Sequence, residues 1–262
     1  AIMKGKISDG SRNPLLRNAL VIFQFTTSIV LLIGTGLVFR KMLFILIKAV
    51  GFDKDQIMML HGTNILGEQV TSLKEELLKV PGVKNVSASD FLPIEGAKRN
   101  GTTFYIDGKE DNRVSGQWWM IDHDYLNTLG MQIEEGRDFS RDLASDSQTV
   151  IINREMAQQL VLGDPLNQNI EFVGGSWRVI GVVEDFHFES IREKVRPLAF
   201  VLGNSTSVVS IKANAQDMPK ILGGVQSVWQ AFVPHQPFRY QYMDERYALM
   251  YRDILRSGRI FS

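Results

Sequence analysis

The segment ALVIFQFTTSIVLLIGTGLVF, from Ala19 to Phe39, contains no charged residue. An α-helix rises about 1.5 Å per residue, so these 21 residues span roughly 30 Å, the thickness of a bilayer's hydrocarbon core. A secretory signal has an apolar run of only about 7–15 residues before a cleavage site of small residues, whereas this run ends in Arg40-Lys41. The segment therefore predicts a transmembrane helix at residues 19–39, with a buried helix of a soluble domain as the alternative.

Small and polar residues recur along this helix at intervals of three, four and seven, which places them on one face. They are Gln24, Thr27, Ser28, Leu31, Gly34 and Thr35. Such residues let helix backbones approach each other and hydrogen-bond in lipid, so this face is predicted to pack against other membrane helices. The alternative is that glycine and threonine are simply common in membrane helices.

The charged residues around the helix leave its orientation open. Four basic residues precede it and four follow it: Lys4, Lys6, Arg12 and Arg17, then Arg40, Lys41, Lys48 and Lys54. The positive-inside rule therefore favours neither orientation of the helix. The segment RKMLFILIKAV after Phe39 stays apolar with basic interruptions, which predicts an interfacial stalk over residues 40–51.

Overall composition excludes several classes of function. The chain has 29 basic and 29 acidic residues and no basic patch, so nucleic acid is not an expected partner. It has no cysteine, which excludes thiol catalysis, cysteine metal sites and disulfides but leaves the compartment open. No nucleotide-binding G-x-x-x-x-G-K-[ST] sequence is present, so we expect no cofactor and no enzymatic activity.

Two similar units enclose the middle of the chain. The first joins the strand Gln56–Leu60, an apolar-faced helix and the strand VKNVSAS; the second joins the strand Ser207–Ala213, a helix and the strand Phe238–Met243. The segment between them is rich in strand patterns and contains an Asp107-Gly108 hairpin signal. The sequence therefore predicts an α/β (α+β) domain of two lobes, in which a membrane-proximal lobe of two strand–helix–strand units carries an inserted β-rich lobe.

This pattern gives a specific expectation about the sheet. Strand Gln56–Leu60 closely follows the entering helix, and strand Phe238–Met243 leads into the amphipathic C-terminal segment. We therefore expect these two strands to share one sheet near the membrane, with the inserted lobe as a separate, more distal layer.

An ordered set of segments resembles a known family. The segments are VPGVKNVSASDFLP, IDHDYLNTLGMQIEEGRDFS, TVIINREMAQQL and RVIGVVEDFHFESI, preceded by LRNALVIFQFTTSIVLLIGTGLVFRKM. In this order they resemble the periplasmic core domain of MacB/FtsX-like ABC transporter permeases, with its preceding membrane helix, in the long form common in Bacteroidetes. No single segment is specific, but the set covers nearly the whole chain from about Pro14 onward. The resemblance implies a cytoplasmic N-terminus, a two-lobed extracytoplasmic domain and a further membrane helix after it.

The residue patterns and the resemblance together imply the following organisation: a cytoplasmic segment 1–18, the membrane helix 19–39, the stalk 40–51, a membrane-proximal lobe 52–90 and 196–243, an inserted distal lobe 91–195, and an amphipathic helix 244–262 leading toward the next membrane helix. The cytoplasmic side and the next membrane helix are implied by the resemblance alone. The resemblance places the chain in the bacterial inner membrane, with residues from about 52 onward in the periplasm. The chain is expected to be a piece of a longer permease.

One polar cluster is a candidate catalytic or metal site. In the segment EDFHFES, Asp185, His187 and Glu189 share one face if the preceding strand continues, and such a trio could hold a divalent metal. The alternative is a solvated strand end whose aromatic residues turn inward. We expect this alternative, and therefore no metal site.

Three functions follow from these observations. The leading one is a permease subunit whose extracytoplasmic domain receives ATP-driven motion for export or mechanotransmission. Its expected partners are an ABC ATPase subunit, a second copy or another permease half, and membrane lipid. The alternative is a single-pass receptor with an extracytoplasmic ligand-binding domain, and a membrane-tethered hydrolase rests only on the trio Asp185, His187 and Glu189.

Overall fold

The structure is a computed structural model that describes residues 14–48, 56–94, 100–188, 194–214 and 218–249. It divides into two compact units, Ala1–Ala49 and Val50–Ser262. The N-terminal part of the predicted cytoplasmic segment, the end of the stalk and the last thirteen positions, 250–262, lie outside the described residues.

The first unit contains one long helix, α1 (Pro14–Lys48). Its span Arg17–Leu37 is long and apolar enough to cross a membrane, and the side chains of this span are exposed. The helix predicted over residues 19–39 is therefore confirmed, and it continues without a break through most of the predicted stalk.

The second unit is a mixed α/β domain. In chain order its elements are β1 (Ile57–His61), α2 (Gln69–Leu78), β2 (Val83–Ser89), β3 (Asn100–Ile106), β4 (Val114–Ile121), α3 (Tyr125–Leu129), β5 (Ile133–Gly136), β6 (Thr149–Asn153), α4 (Arg154–Gln159), β7 (Asn169–Phe172), β8 (Gly175–Val183), β9 (Leu198–Leu202), β10 (Val208–Ala213), α5 (Met218–Phe232) and β11 (Tyr240–Tyr242). Short 3-10 helices span Thr63–Leu66 and Ala144–Gln148, and residues 243–249 are helical.

The two predicted strand–helix–strand units form one antiparallel arrangement. Strands lie in the order β11-β1-β10-β2, the split β-α-β order of ferredoxin-like folds. Helices α2 and α5 pack on the same face, because their apolar stripes and the alternate strand residues share one core. On α2 that stripe is Val70, Leu73 and Leu77, at the spacing of one helix face.

The expectation that the first and last strands share a sheet is confirmed. Met58 lies opposite Tyr242 and Leu60 lies opposite Tyr240, in an antiparallel pair. The first strand of the domain, β1, and the strand that precedes residues 243–249, β11, are therefore hydrogen-bonded neighbours.

The remaining strands form a closed circuit. Hydrogen bonds join β4, β3, β7, β8, β6 and β9 in that order, and β9 pairs back with β4 in parallel. Strand β5 pairs with the end of β8. Alternate residues of these strands, Met156 and Ala157 of α4, and Leu160 directly after α4 make up a second apolar core.

The expectation of a separate layer for the inserted range is wrong. Strand β4 pairs with β2 through Ser89 and Ile121, so all eleven strands belong to one continuous sheet. Strand β9 lies within the range 196–243, yet it pairs with β4 and β6 of the inserted range. The division into two lobes at the stated boundaries stays a prediction.

Candidate functional site

The side chains of the predicted packing face of α1 are exposed in the first unit. Thr27 donates its hydroxyl hydrogen to the carbonyl oxygen of Phe23, at 2.8 Å, which satisfies that hydroxyl inside the helix. A Cβ atom added at Gly34 would meet no atom within 4 Å. Gln24, Ser28 and Thr35 are likewise exposed. The face therefore offers small and polar groups that another membrane helix can contact, and its role in packing stays a prediction.

In the second unit, a charged cluster joins helix α2 to the segment after β4. The Nζ atom of Lys74 on α2 donates to carboxylate oxygens of Asp122 and of Asp124, the second at 3.0 Å. Arg141 donates to the same Oδ2 atom of Asp124, at 2.6 Å. We call Lys74, Asp122, Asp124 and Arg141 the polar junction.

Backbone groups hold Asp122 in place within the polar junction. Its Oδ2 atom accepts from the N–H of Ala88 in β2, at 2.7 Å, and its Oδ1 atom accepts from the N–H of Asp124, at 3.1 Å. The side chains of Lys74 and Asp122 are only 13% and 12% exposed. Asp122 thus ties β2, α2 and the start of α3 together, close to the single residue pair that connects β2 with β4.

Burial and neighbouring positive charges shift the pKa values of the acidic groups of this region in opposite directions. Burial raises the pKa of Asp122, and the Lys74 ammonium opposes that rise. Burial also acts to raise the pKa of Asp124, but hydrogen bonds from Arg141 and Lys74 outweigh it and lower that pKa. Burial raises the pKa of nearby Asp138 to about 6, with a further contribution from the carboxylates of Asp124 and Asp122. The charge of this region therefore changes in mildly acidic solution.

Replacing Lys74 with methionine is expected to lower the free energy of unfolding by about 2–3 kcal/mol, because two largely buried carboxylates lose their shared cation. Lys79 on the same helix gives a matched control, since it pairs with Glu76 at 2.6 Å while both side chains are exposed. Lys79→Met is expected to change the stability by less than about 0.5 kcal/mol. Urea denaturation of the full chain in detergent, followed by circular dichroism, measures both; equal effects would contradict the assigned role of Lys74.

A second ion pair joins Arg137, in the segment EEGRDFS, to the buried Asp146. Arg137 donates from both terminal nitrogens to the carboxylate of Asp146, each bond measuring 2.7 Å, and the N–H of Ser140 adds a third bond at 2.8 Å. Asp146 is completely buried. Hydrogen bonds from Arg137 hold the pKa of Asp146 below its ordinary value.

Two glycines allow the chain to pass close to β8 beside this pair. A Cβ atom at Gly136 would lie 2.2 Å from the carbonyl oxygen of Ile180, and one at Gly181 would lie 2.5 Å from the carbonyl oxygen of Arg137. Gly136 also has a φ of +77°, which side chains disfavour. Only glycine can occupy these two positions where the chain crosses β8. The two glycines therefore determine the position of the Arg137 backbone.

The trio Asp185, His187 and Glu189 is not described as a set, because Glu189 lies outside the described residues. Strand β8 ends at Val183, so the strand alternation does not reach these residues. Asp185 accepts a hydrogen bond from the N–H of Glu155 in the first turn of α4, at 2.9 Å, and burial raises its pKa. The aromatic neighbours Phe186 and Phe188 are buried. Asp185 thus supports α4, and a catalytic or metal-binding role for the trio has no further support.

Comparisons with known proteins identify the fold. The family model described as the MacB-like periplasmic core domain matches residues 25–221. The periplasmic region of MacB from Actinobacillus actinomycetemcomitans is 15% identical, with a TM-score of 0.53 over 74% of this chain and 92% of that one. The extracellular domain of the noncanonic ABC-type transporter YknZ from Gram-positive bacteria is 19% identical, with a TM-score of 0.51 over 71% of this chain and 98% of that one. No curated protein sequence matches the chain significantly.

An apolar N-terminal helix followed by this mixed α/β domain defines a membrane protein with an extracytoplasmic domain of the ABC transporter permease class. The chain belongs to the family of MacB-like periplasmic core domains, because that family's model matches about three quarters of its length. The resemblance to MacB/FtsX-like permeases drawn from the sequence is thereby confirmed.

Proposed function

We propose that this chain forms part of a permease subunit whose extracytoplasmic domain receives motion from membrane helices that an ABC ATPase drives. The observation that carries the proposal is the family match over residues 25–221, which begins inside the apolar helix and extends to the start of α5. In this proposal the helix lies in the bacterial inner membrane, and residues from about 52 onward lie in the periplasm.

The continuity of α1 supports this route for motion. Its 35 residues measure about 52 Å at 1.5 Å per residue, whereas a bilayer's hydrocarbon core is about 30 Å thick. The helix therefore extends as regular secondary structure well beyond the length that crosses the core. A continuous helix resists bending better than an irregular linker, so displacement of its membrane-spanning part reaches the residues that precede β1.

The placement of the first and last strands supports the same mechanism. In this proposal, displacement of α1 is passed along the chain to β1, and displacement of residues 243–249 is passed to β11. Because β1 and β11 pair directly, both displacements reach the same edge of the sheet. The polar junction and the pair Ser89–Ile121 then connect this part of the sheet to the closed strand circuit. Export of a cargo and control of a periplasmic partner are both compatible with this coupling.

Copurification tests the proposed class of function. The full-length permease that contains this chain is expressed under its own promoter, tagged, and purified in mild detergent. An ABC ATPase subunit is expected to copurify, and deletion of that subunit is expected to abolish the permease's function. A permease that purifies without any ATPase subunit, and whose function survives loss of the ATPase, would contradict the proposal.

The packing face of α1 provides a second test. Gly34→Leu is expected to weaken association of this helix with the other permease helix or a second copy, because a leucine side chain separates backbones that glycine lets approach. Gly36→Leu is the matched control, since Gly36 lies two residues away and points about 160° from Gly34 around the helix. Cross-linking in membranes measures the association. Equal losses in both variants would show that this face is not the contact.

A further inference from the structure

Part of the sheet face opposite α2 and α5 is buried although it carries polar side chains. In β2, Val86 and Ala88 face the helices; in β10, Val209 and Ile211 do the same. Because strand side chains alternate between faces, Ser87 and Ser210 lie on the other face. Both are completely buried.

These two serines are cross-strand partners. Ser210 lies directly opposite Ser87 in the antiparallel pair of β10 and β2. Cβ atoms of directly opposed residues lie about 4.5–5.5 Å apart, so the two serine side chains are close neighbours on this face. Helix α3 packs over β2 and β10, and its Thr128 is also completely buried.

The hydroxyl groups of Ser87, Ser210 and Thr128 have no protein hydrogen-bond partner. Other buried hydroxyls do: Ser89 donates to the carbonyl oxygen of Phe91 at 3.0 Å, and Ser205 donates to Asp90 at 2.6 Å. Across the described ranges, every buried serine or threonine hydroxyl that lacks a partner belongs to β2, β10 or α3. A buried hydroxyl without a partner is unfavourable because it has lost its hydrogen bonds to water. Three of them on adjoining elements indicate a shared ligand.

We propose that Ser87, Ser210 and Thr128 bind an internal water molecule between α3 and the sheet. Buried waters typically make two to four hydrogen bonds to otherwise unsatisfied polar groups, and three hydroxyls meet that need. Each hydroxyl both donates and accepts, so the three can adjust to one water. The water links α3, from the inserted range, to both strands.

A double-mutant cycle in the full chain tests the water site. Ser87→Ala, Ser210→Ala and the double variant are compared by urea denaturation in detergent, with Ser115→Ala, an exposed strand serine, as the control. Each single replacement is expected to raise the unfolding equilibrium constant about three- to tenfold, because the water loses a partner. The double variant is expected to raise the unfolding equilibrium constant by less than the product of the two single factors, since both serines act through one water. Single replacements that each stabilise the protein, with independent effects, would overturn the proposal.

A structure of the unmodified chain that resolves ordered water gives an independent test, which does not depend on how the variants fold. Density for one water within hydrogen-bond distance of the Oγ atoms of Ser87 and Ser210 is expected. A dry contact, or a direct hydrogen bond between the two serines, would overturn the proposal.

Discussion

Trp119→Ala is expected to lower the free energy of unfolding by about 3–5 kcal/mol, the typical cost of removing a large buried aromatic side chain. The Trp119 ring is completely buried. Four aromatic rings surround it: Phe188, Phe200, Phe91 and Phe186, with centroids 5.1, 5.8, 5.9 and 6.2 Å away. These rings come from separate parts of the chain, so the collapse that would fill the cavity requires several elements to move together.

The loss in Trp119→Ala includes a polar contribution. The indole N–H donates to the Oε1 atom of Gln117, at 3.2 Å, and Gln117 is itself buried. Removing the indole leaves that amide with one fewer partner in a place that water reaches poorly. Trp119→Phe keeps most of the ring contacts but loses this bond, so it is expected to cost about 1–2 kcal/mol.

The neighbouring Trp118 is the matched control. It lies on the opposite face of β4 and is only partly buried against the second core, so Trp118→Ala is expected to cost clearly less than Trp119→Ala. Urea denaturation followed by far-ultraviolet circular dichroism measures both variants without relying on tryptophan fluorescence. Equal losses at the two positions would show that the aromatic cluster around Trp119 contributes no special stability.

Local patterns in the sequence predict much of this fold. Strand alternation places the two tryptophans on opposite faces of β4, as observed, and the apolar spacing of α2 identifies its buried face. The same reasoning fails at the ends of helices. Val161 continues the apolar spacing of α4, but the helix ends at Gln159 and Val161 has a φ of +54°, which turns it into solvent. Apolar spacing alone does not reveal where a helix stops.

Pairing between distant strands is the part of the fold that the sequence leaves open. The apolar sequence of β9 is equally compatible with a strand of the membrane-proximal range or of the inserted range, because its residues are buried on both faces. Its position is decided by partners 47 to 81 residues away in β6 and β4, such as Ile151 opposite Phe200 and Trp119 opposite Phe200. Nothing local in Leu198–Leu202 encodes those partners, which is why the expected separate layer does not form.

The polar junction was missed for a related reason. Lys74 and Asp122 are 48 residues apart, and neither belongs to a motif with a fixed spacing. The available signal was the acidic pair in IDHDYL, directly after a buried strand, which requires a cation if it is buried. In contrast, the predicted membrane helix depends only on length and composition, and both are properties of a continuous segment.

The second large effect is expected at Arg137. Arg137→Met leaves the completely buried carboxylate of Asp146 without its cation, and removing one partner of a buried ion pair typically costs about 3–5 kcal/mol. We expect a loss of about 3 kcal/mol at neutral pH, because the N–H of Ser140 still donates to Asp146. Asp146→Ala is expected to cost less, since the Arg137 side chain is 40% exposed and water can hydrate its guanidinium group.

The pH dependence separates this ion-pair effect from a simple packing defect. In the wild-type protein the pKa of Asp146 is lowered, so the pair stabilises the fold above the carboxyl's ordinary pKa, and that contribution is lost as the pH falls. In Arg137→Met the buried carboxyl gains a proton more readily than in the unfolded chain, so the destabilisation should shrink as the pH is lowered from 7 toward 4. Arg113→Met, which removes an exposed partner of Glu110, should cost less than about 1 kcal/mol at every pH. A loss in Arg137→Met that stays constant with pH would mean that the aliphatic part of Arg137, and not its charge, supports this crossing of the chain over β8.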